Sequence, residues 1–483
     1  MAEKMLRAKS YADFSKACWQ SIGEALAPEN SVKQNLNLNS DEILGWLISR
    51  LGTTLINAQI IDNKPVLGVH NFRDSVGSGS KLFAALSDGT NNDIYDVLTG
   101  SKSLQDDTKD LKTRFLTYLD SCVRLNGTDA AKAWNGTAWI TTGGAFDLAN
   151  FPSGAGAAIE FKDRVYAYLF VSDPDKVQKS GIANATTRAI SWTVDNGFIV
   201  FEQEDGGGGI TAAAKVPGYL LFWKKRTMKR FDGSSAYPED MVNQGCPSQE
   251  AVVVAAQTAW WVNENGGWAS QGGAPKKISS YTVDNIIKSC SAADLLKMGS
   301  GTDEEHVWWS FPSVTMLGET YLNVVIKYNI LQNTWDIRQY PTQHRTYTKY
   351  VDSTGEVFTV AGDDDGNVLK MDTGETDNGL AINWSMETQD WTFGYRLFEK
   401  SITSIGFITE GISKAQVLWR NINKPDAWKP VGTITKDVQL FDRKDFRGTF
   451  YNFKVFDTAD NGRSIIKAIE IPEGTKVYDS TKP

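Results

Sequence analysis

The chain has 483 residues, of which 41% are hydrophobic, 11% aromatic and 22% charged, and its formal net charge is −8. That apolar supply excludes global disorder, and the acidic balance excludes the wrapping of nucleic acid as a main task, because phosphate contacts require a basic surface. Sixteen Trp, sixteen Tyr and twenty-two Phe suit pleated surfaces better than helix interiors, which points to an all-β fold.

Residues 1–7 lead into polar sequence with no apolar signal core, and no apolar run approaches the eighteen residues of a membrane-spanning helix. The expectation is a soluble chain made in the cytoplasm. Residues 1–64 are polar and irregular, and are read as an N-terminal arm with the first strands, lying along a neighbouring surface. Within them, residues 40–51 place Ile43, Leu44, Leu47 and Ile48 at helical spacing.

From residue 65 onward, short apolar runs closed by turn residues take over. Segments 66–69, 81–86 and 93–97 surround the turn Ser87-Asp88-Gly89, and segments 113–119, 122–125 and 133–139 carry Asn126-Gly127 and Asn135-Gly136. Asn-Gly and Asp-Gly pairs supply the positive φ that tight hairpins demand. The same order returns at 158–168 around Lys162-Asp163, at 217–223 and 227–233 ending in Asp232-Gly233, and at 251–262 before Asn265-Gly266. It returns again at 307–311, 323–337 and 356–371, where Trp335 is expected to pack across its hairpin onto its own blade. Units of roughly forty to fifty residues match one four-stranded propeller blade, so residues 65–375 are predicted to form a β-propeller of about five to seven blades. Residues 376–483 carry longer alternating strands, such as 415–419 and 449–455, and read as a β-sandwich-like module or as strands that close the propeller.

Cys18, Cys122, Cys246 and Cys290 lie far apart without a C-x-x-C pair, so free and mostly buried thiols are expected. His70, His306 and His344 stand outside any metal-binding or nucleophile-activating motif and are read as strand or turn residues. The acidic turn Gly362-Asp363-Asp364-Asp365-Gly366-Asn367 lacks the closing glutamate of a calcium loop and reads as a hairpin tip. Residues 206–209, all glycine, lack the lysine and hydroxyl of a phosphate-binding loop. Asp303-Glu304-Glu305 is a carboxylate group with no partner segment that sequence can identify. Lys224, Lys225, Arg226, Lys229 and Arg230 form a basic cluster on an apparent hairpin, read first as a solvated turn. No catalytic, cofactor-binding or metal-ligating residue is assigned, and the expectation is a protein that is not an enzyme.

Several segments together resemble a family of phage virion proteins. Tyr11-Ala12-Asp13-Phe14-Ser15-Lys16, residues 25–32, Leu44-Gly45, Arg50 and Gly52-Thr53-Thr54-Leu55-Ile56 are similar to its opening. Leu125-Asn126-Gly127, Ala133-Trp134-Asn135-Gly136-Thr137, residues 161–166, Val171-Ser172-Asp173-Pro174 and residues 228–233 follow in the same order. Residues 362–374, Asp377-Asn378-Gly379 and Trp384 complete the resemblance, which runs to about residue 390. The family is the packaged-DNA-stabilising, tail-nozzle class of short-tailed phages. The resemblance implies a homo-oligomeric ring, most often a hexamer, below the portal and adaptor proteins, which retains the genome, forms its exit channel and meets tail fibre or needle proteins. It also implies a virion location, passage of double-stranded DNA without sequence readout, and a strand in place of the helix near residues 44–51.

The alternative is a tail propeller that binds or hydrolyses host surface polysaccharide, since propellers also host glycan-active enzymes. Asn263-Glu264-Asn265-Gly266-Gly267-Trp268 partly resembles the aspartate box of sialidases but lacks its serine and aspartate.

Overall fold

The computed structural model describes residues 4–5, 9–16, 18, 31–61, 63–75, 80–105, 108, 110–201, 208–235, 237–391, 399–412, 414–421, 428–448, 450–457, 462–472 and 476–478. Residues 25–30 of the opening motif, Gly206 and Gly207 of the glycine run and Thr449 lie outside them.

Among the described residues, seven antiparallel four-strand units follow one another around an axis, so the fold is an all-β propeller. Blade 1 contains Val66–Phe72, Lys81–Ser87, Asn92–Asp96 and Ser101–Gln105. Blades 2 to 5 begin at Arg114–Tyr118, Ala157–Phe161, Ile210–Val216 and Val252–Ala255. Blade 6 contains Gly299–Thr302, His306–Met316, Glu319–Asn329 and Thr334–Gln339. Blade 7 contains His344–Val351, Val357–Asp363 and Val368–Met371, and takes its fourth strand from Thr53–Leu55, with Lys370 opposite Thr54. The innermost strand of blade 7 lies beside that of blade 1, which closes the ring. Closure buries the facing surfaces of blades 1 and 7, where Val66, Leu82 and Leu86 share a core with Tyr350, Val360 and Val368 that an open array would expose.

The turns form where short polar side chains cap the backbone. Asn135 Oδ1 accepts from the amides of Thr137 and Ala138 while Gly136 takes φ +95°, a value that costs a side-chain-bearing residue. Asp88 and Asp232 cap their turns in the same way. Between blades, aromatic side chains fill the wedge-shaped gaps. Trp223 of blade 4 meets Trp261 of blade 5 at 5.2 Å, Tyr166 of blade 3 meets Phe231 of blade 4 at 5.9 Å, and Trp308 of blade 6 meets Tyr347 of blade 7 at 6.0 Å. Each fully buried large side chain contributes roughly 1.5–3 kcal/mol through lost contact with water. Trp335 lies over Tyr328 at 4.6 Å, across its own hairpin.

Blade 6 does not stop at its fourth strand. Val32–Leu36 pairs in parallel with it through Leu36 and Ile337, and Ser385–Thr388, Tyr451–Asp457, Ala415–Asn421 and Lys429–Ile434 continue the sheet to nine strands. A second sheet, built on Glu399–Glu410, Val438–Gly448 and Ile465–Ile471, includes Lys9–Tyr11, Leu38–Asn39 and Leu47–Ser49. Leu38, Leu47, Trp384, Phe407, Trp419 and Phe453 are buried in one core with it.

The described strands of residues 1–64 therefore contribute to the sandwich core and to blade 7, which differs from an arm laid on a neighbour. Residues 41–45 form a turn and Leu47–Ser49 a strand, so the helical reading of 40–51 is corrected. Its apolar residues do not share a helical face, since Leu47 is fully buried while Leu44 is 72% exposed. Two short helices, Tyr281–Lys288 and Ala292–Leu296, join blades 5 and 6. No helix among the described residues is long and apolar enough to cross a membrane.

Candidate functional site

The residues singled out from sequence fall into separate places. His70 on the innermost strand of blade 1 contacts Thr117 Oγ1 at 2.7 Å and stacks on Phe115, and burial pushes its imidazole down to about 4. His344 begins the innermost strand of blade 7, packed between Tyr340 and Tyr347, where burial pushes it down to about 3. Both rings are neutral near pH 7.

His306 behaves differently. Its Nε2 lies 2.7 Å from Asp41 Oδ2 and its Nδ1 2.8 Å from Asp303 Oδ2. Burial opposes its charge, but the hydrogen bonds to Asp303 and Asp41 outweigh it and hold the pKa above the ordinary value. Lys327 Nζ donates to the same Asp41 oxygen at 2.8 Å, and these partners hold Asp41 well below the carboxylate range in spite of its burial. Beside them, Asp336 accepts from Asn35 Nδ2 and Ser40 Oγ, and burial together with the negative charge of Asp41 pushes it up to about 6.

A second buried pair lies nearby. Arg50 donates through Nη1 and Nη2 to the two carboxylate oxygens of Asp377, at 2.8 and 2.5 Å, lies over the Tyr340 ring, and donates to Asn37 and the Gln339 carbonyl. These two networks pin residues 35–50 against blade 6 and the segment after blade 7. Nothing in the sequence pairs Arg50 with Asp377, which are 327 positions apart.

The basic cluster resolves into paired and unpaired members. Lys224 is buried beside Asp175, Lys229 is buried beside Asp240, and Arg230 pairs with Glu239. Lys225 and Arg226 alone remain exposed at the turn, with no ion pair among the described residues. The acidic segment 362–367 is a hairpin tip, in which Asp363 accepts from the amides of Asp365 and Asn367 and from Thr342 Oγ1. Asp303 is engaged by His306 and Glu304 by Lys349, so the carboxylate group at 303–305 is divided between two partners. No group of three or more His, Cys, Asp and Glu side chains among the described residues is placed to hold a metal ion. Cys18, Cys122 and Cys246 are buried free thiols and Cys290 is half-buried, and burial pushes all four up in pKa.

The innermost strands surround an axial funnel of about 1080 Å³ that includes Arg114, Lys215, Glu304 and Tyr347. Its cations face carboxylates: Arg114 pairs with Glu250 at 2.5 Å and Lys215 with Glu160 at 2.5 Å. A second cavity, of about 630 Å³, opens between blades 4 and 5 beside Lys225 and Arg226.

No protein-family model matches the chain, and no curated protein matches it. Among solved structures, YCF48 from Cyanidioschyzon merolae is similar at 10% identity and TM-score 0.39, over 64% of this chain and 95% of that one. The extracellular domain of BT4673 from B. thetaiotaomicron is similar at 10% identity and TM-score 0.43, over 85% of this chain and 60% of that one. A chain from the S. cerevisiae complex of Dbp5 with Nup159, Gle1, IP6 and ADP is similar at 8% identity and TM-score 0.37, over 69% and 96%.

Proposed function

We propose that this protein is a structural subunit of a ring in a phage tail, which retains the packaged genome and forms part of its exit channel. The observation that supports this reading best is mechanical. One nine-stranded sheet runs from the propeller into the sandwich, and strands from both ends of the sequence are paired into it. A subunit under load from packaged DNA needs such continuity, because a hinge between two separate domains would yield before a hydrogen-bonded sheet does.

Charge supports the same reading. A six-fold ring would carry about −48 from −8 per chain, and acidic walls repel phosphates and let DNA move without adhering. The chain's own axial funnel, at about 1080 Å³, is too small to pass a duplex, so the DNA path in this reading runs between copies. The ring and its six-fold symmetry come from the resemblance of the motif order to nozzle proteins.

The test is genetic. Particles assembled by a phage that carries an early stop codon in this gene are expected to package DNA and then lose it, with rescue by the intact chain supplied in trans. Stable, full and infectious particles without the protein would contradict the proposal.

A further inference from the structure

The cavity between blades 4 and 5 is built rather than incidental. The turn carrying Lys225 and Arg226 is held by Lys224, whose amide donates to the Thr227 carbonyl at 2.9 Å and whose carbonyl accepts from the Cys246 amide at 3.0 Å. Gly245 lies directly behind it: a Cβ there would stand 2.2 Å from the Lys225 carbonyl. The opposite wall is the blade 5 hairpin. Asn263 donates to the Gly245 carbonyl at 2.9 Å and accepts from the Asn265 amide and the Trp268 indole, which fixes the tip Glu264-Asn265 against the basic turn.

Three kinds of chemistry converge on this space. Lys225 and Arg226 offer two cations with no partner among the described residues. Thr227 Oγ1 is a buried hydroxyl without a hydrogen-bond partner among the described residues, and Asn243 and Asn265 add amide groups. Pro247 and Leu296 add an apolar wall, and Leu296 stays 57% exposed although its neighbour Leu295 anchors the helix in the core. A volume of about 630 Å³ falls within the range of small-molecule sites.

We propose that this cleft binds an acidic oligosaccharide. A sugar carboxylate would meet Lys225 and Arg226, vicinal hydroxyls would meet the amides and Thr227, and the C–H face of the ring would lie on Pro247 and Leu296. Glu264, exposed at the rim, accepts hydroxyl groups but opposes a ligand of high negative charge density, which disfavours phosphate and nucleic acid. Planar amides and carboxylates suit pairs of hydroxyls because each presents two polar atoms at matching spacing. The inference does not depend on the ring, since the whole cleft belongs to one chain.

Calorimetric titration of the full chain tests it. The probes are uronate- and sialate-bearing oligosaccharides, the methyl esters of those that bind, inorganic phosphate and a DNA duplex. At least one acidic oligosaccharide is expected to bind, its ester at least tenfold more weakly, and the affinity to fall with salt. The Lys225→Ser/Arg226→Ser variant is expected to lose at least tenfold in affinity with near-ultraviolet circular dichroism unchanged, and Lys436→Ser, an exposed lysine of the sandwich outside the cleft, to lose nothing. The proposal is overturned if no probe sugar binds, if ester and acid bind alike, if the double variant binds as well as the parent, or if phosphate or DNA binds as tightly as the sugar.

Discussion

At the scale of single residues, the most consequential side chains are charged and buried. Arg50 and Asp377 are 0% and 5% exposed, so removing one leaves the other charged in a site of low polarity. Arg50→Ala is expected to destabilise the fold by about 3–5 kcal/mol in denaturant unfolding, whereas Arg50→Met with Asp377→Leu should cost less than either single change. A double variant that costs the sum of the two single changes would show that the pair is not coupled. The cluster around Asp41 makes a second prediction, in pH. Asp336 is raised to about 6 from an ordinary 3.8, so its contribution to stability is fully present below 3.8 and is lost as pH rises toward 6. His306, raised above 6.5, contributes below that value and loses its contribution as pH rises through its folded pKa. Asp41, held low, acts in the opposite sense and loses its contribution only as pH falls below the ordinary range. Asp336→Asn should therefore reduce the slope of stability between pH 4 and 6, with Asp363 and Glu387, also raised, supplying the remainder. An unchanged slope would remove Asp336 from the account.

At the scale of elements, the hairpins differ in how tightly their tips are packed. Gly366, at the tip of blade 7, has φ +82° and would place a Cβ 1.9 Å from the Ile61 carbonyl oxygen, while Gly136 has φ +95° and open space around it. Gly136→Ala should cost about 1 kcal/mol from backbone conformation alone. Gly366→Ala adds a steric clash of about 1–3 kcal/mol, readable as a lower Tm than that of Gly136→Ala. Equal Tm values would mean that the N-terminal segment does not press on blade 7. These hairpins were legible in the sequence because the information is local: an Asx residue, a glycine and alternating apolar flanks sit within one short segment. The helix Tyr281–Lys288 was not, since only Val283, Ile286 and Ile287 mark its buried face, too short a run to show periodicity. The strands at 32–36, 38–39 and 47–49 were hidden for another reason. Leu38–Asn39 and Leu47–Ser49 pair with each other, but the partners of Val32–Leu36 and the second partner of Leu47–Ser49 lie hundreds of positions away, and buried polar residues such as Asn35, Asn37 and Asn39 make a core segment read as a surface arm. The basic cluster shows the same limit, because the pairing of Lys224 with Asp175 decides which charges are free and cannot be read along the chain.

At the scale of the whole molecule, the nine-stranded sheet joins propeller and sandwich, and strands before residue 56 belong to both. Calorimetry is therefore expected to show one unfolding transition with matching van't Hoff and calorimetric enthalpies, and two resolved transitions would show that the parts are independent. The sandwich leaves Lys429–Ile434 and Val438–Gly448 at the ends of its sheets, and Val438 and Leu440 are exposed there. Edges of this kind invite pairing between chains, and a closed ring is one way to use them. The central claim, that this chain is a ring subunit, meets its most direct test in native mass spectrometry of the purified protein combined with negative-stain imaging. The account predicts a closed ring, six copies by the nozzle resemblance, with a central opening wide enough for a DNA duplex; a chain that remains monomeric at every concentration and in the presence of its tail neighbours would contradict it.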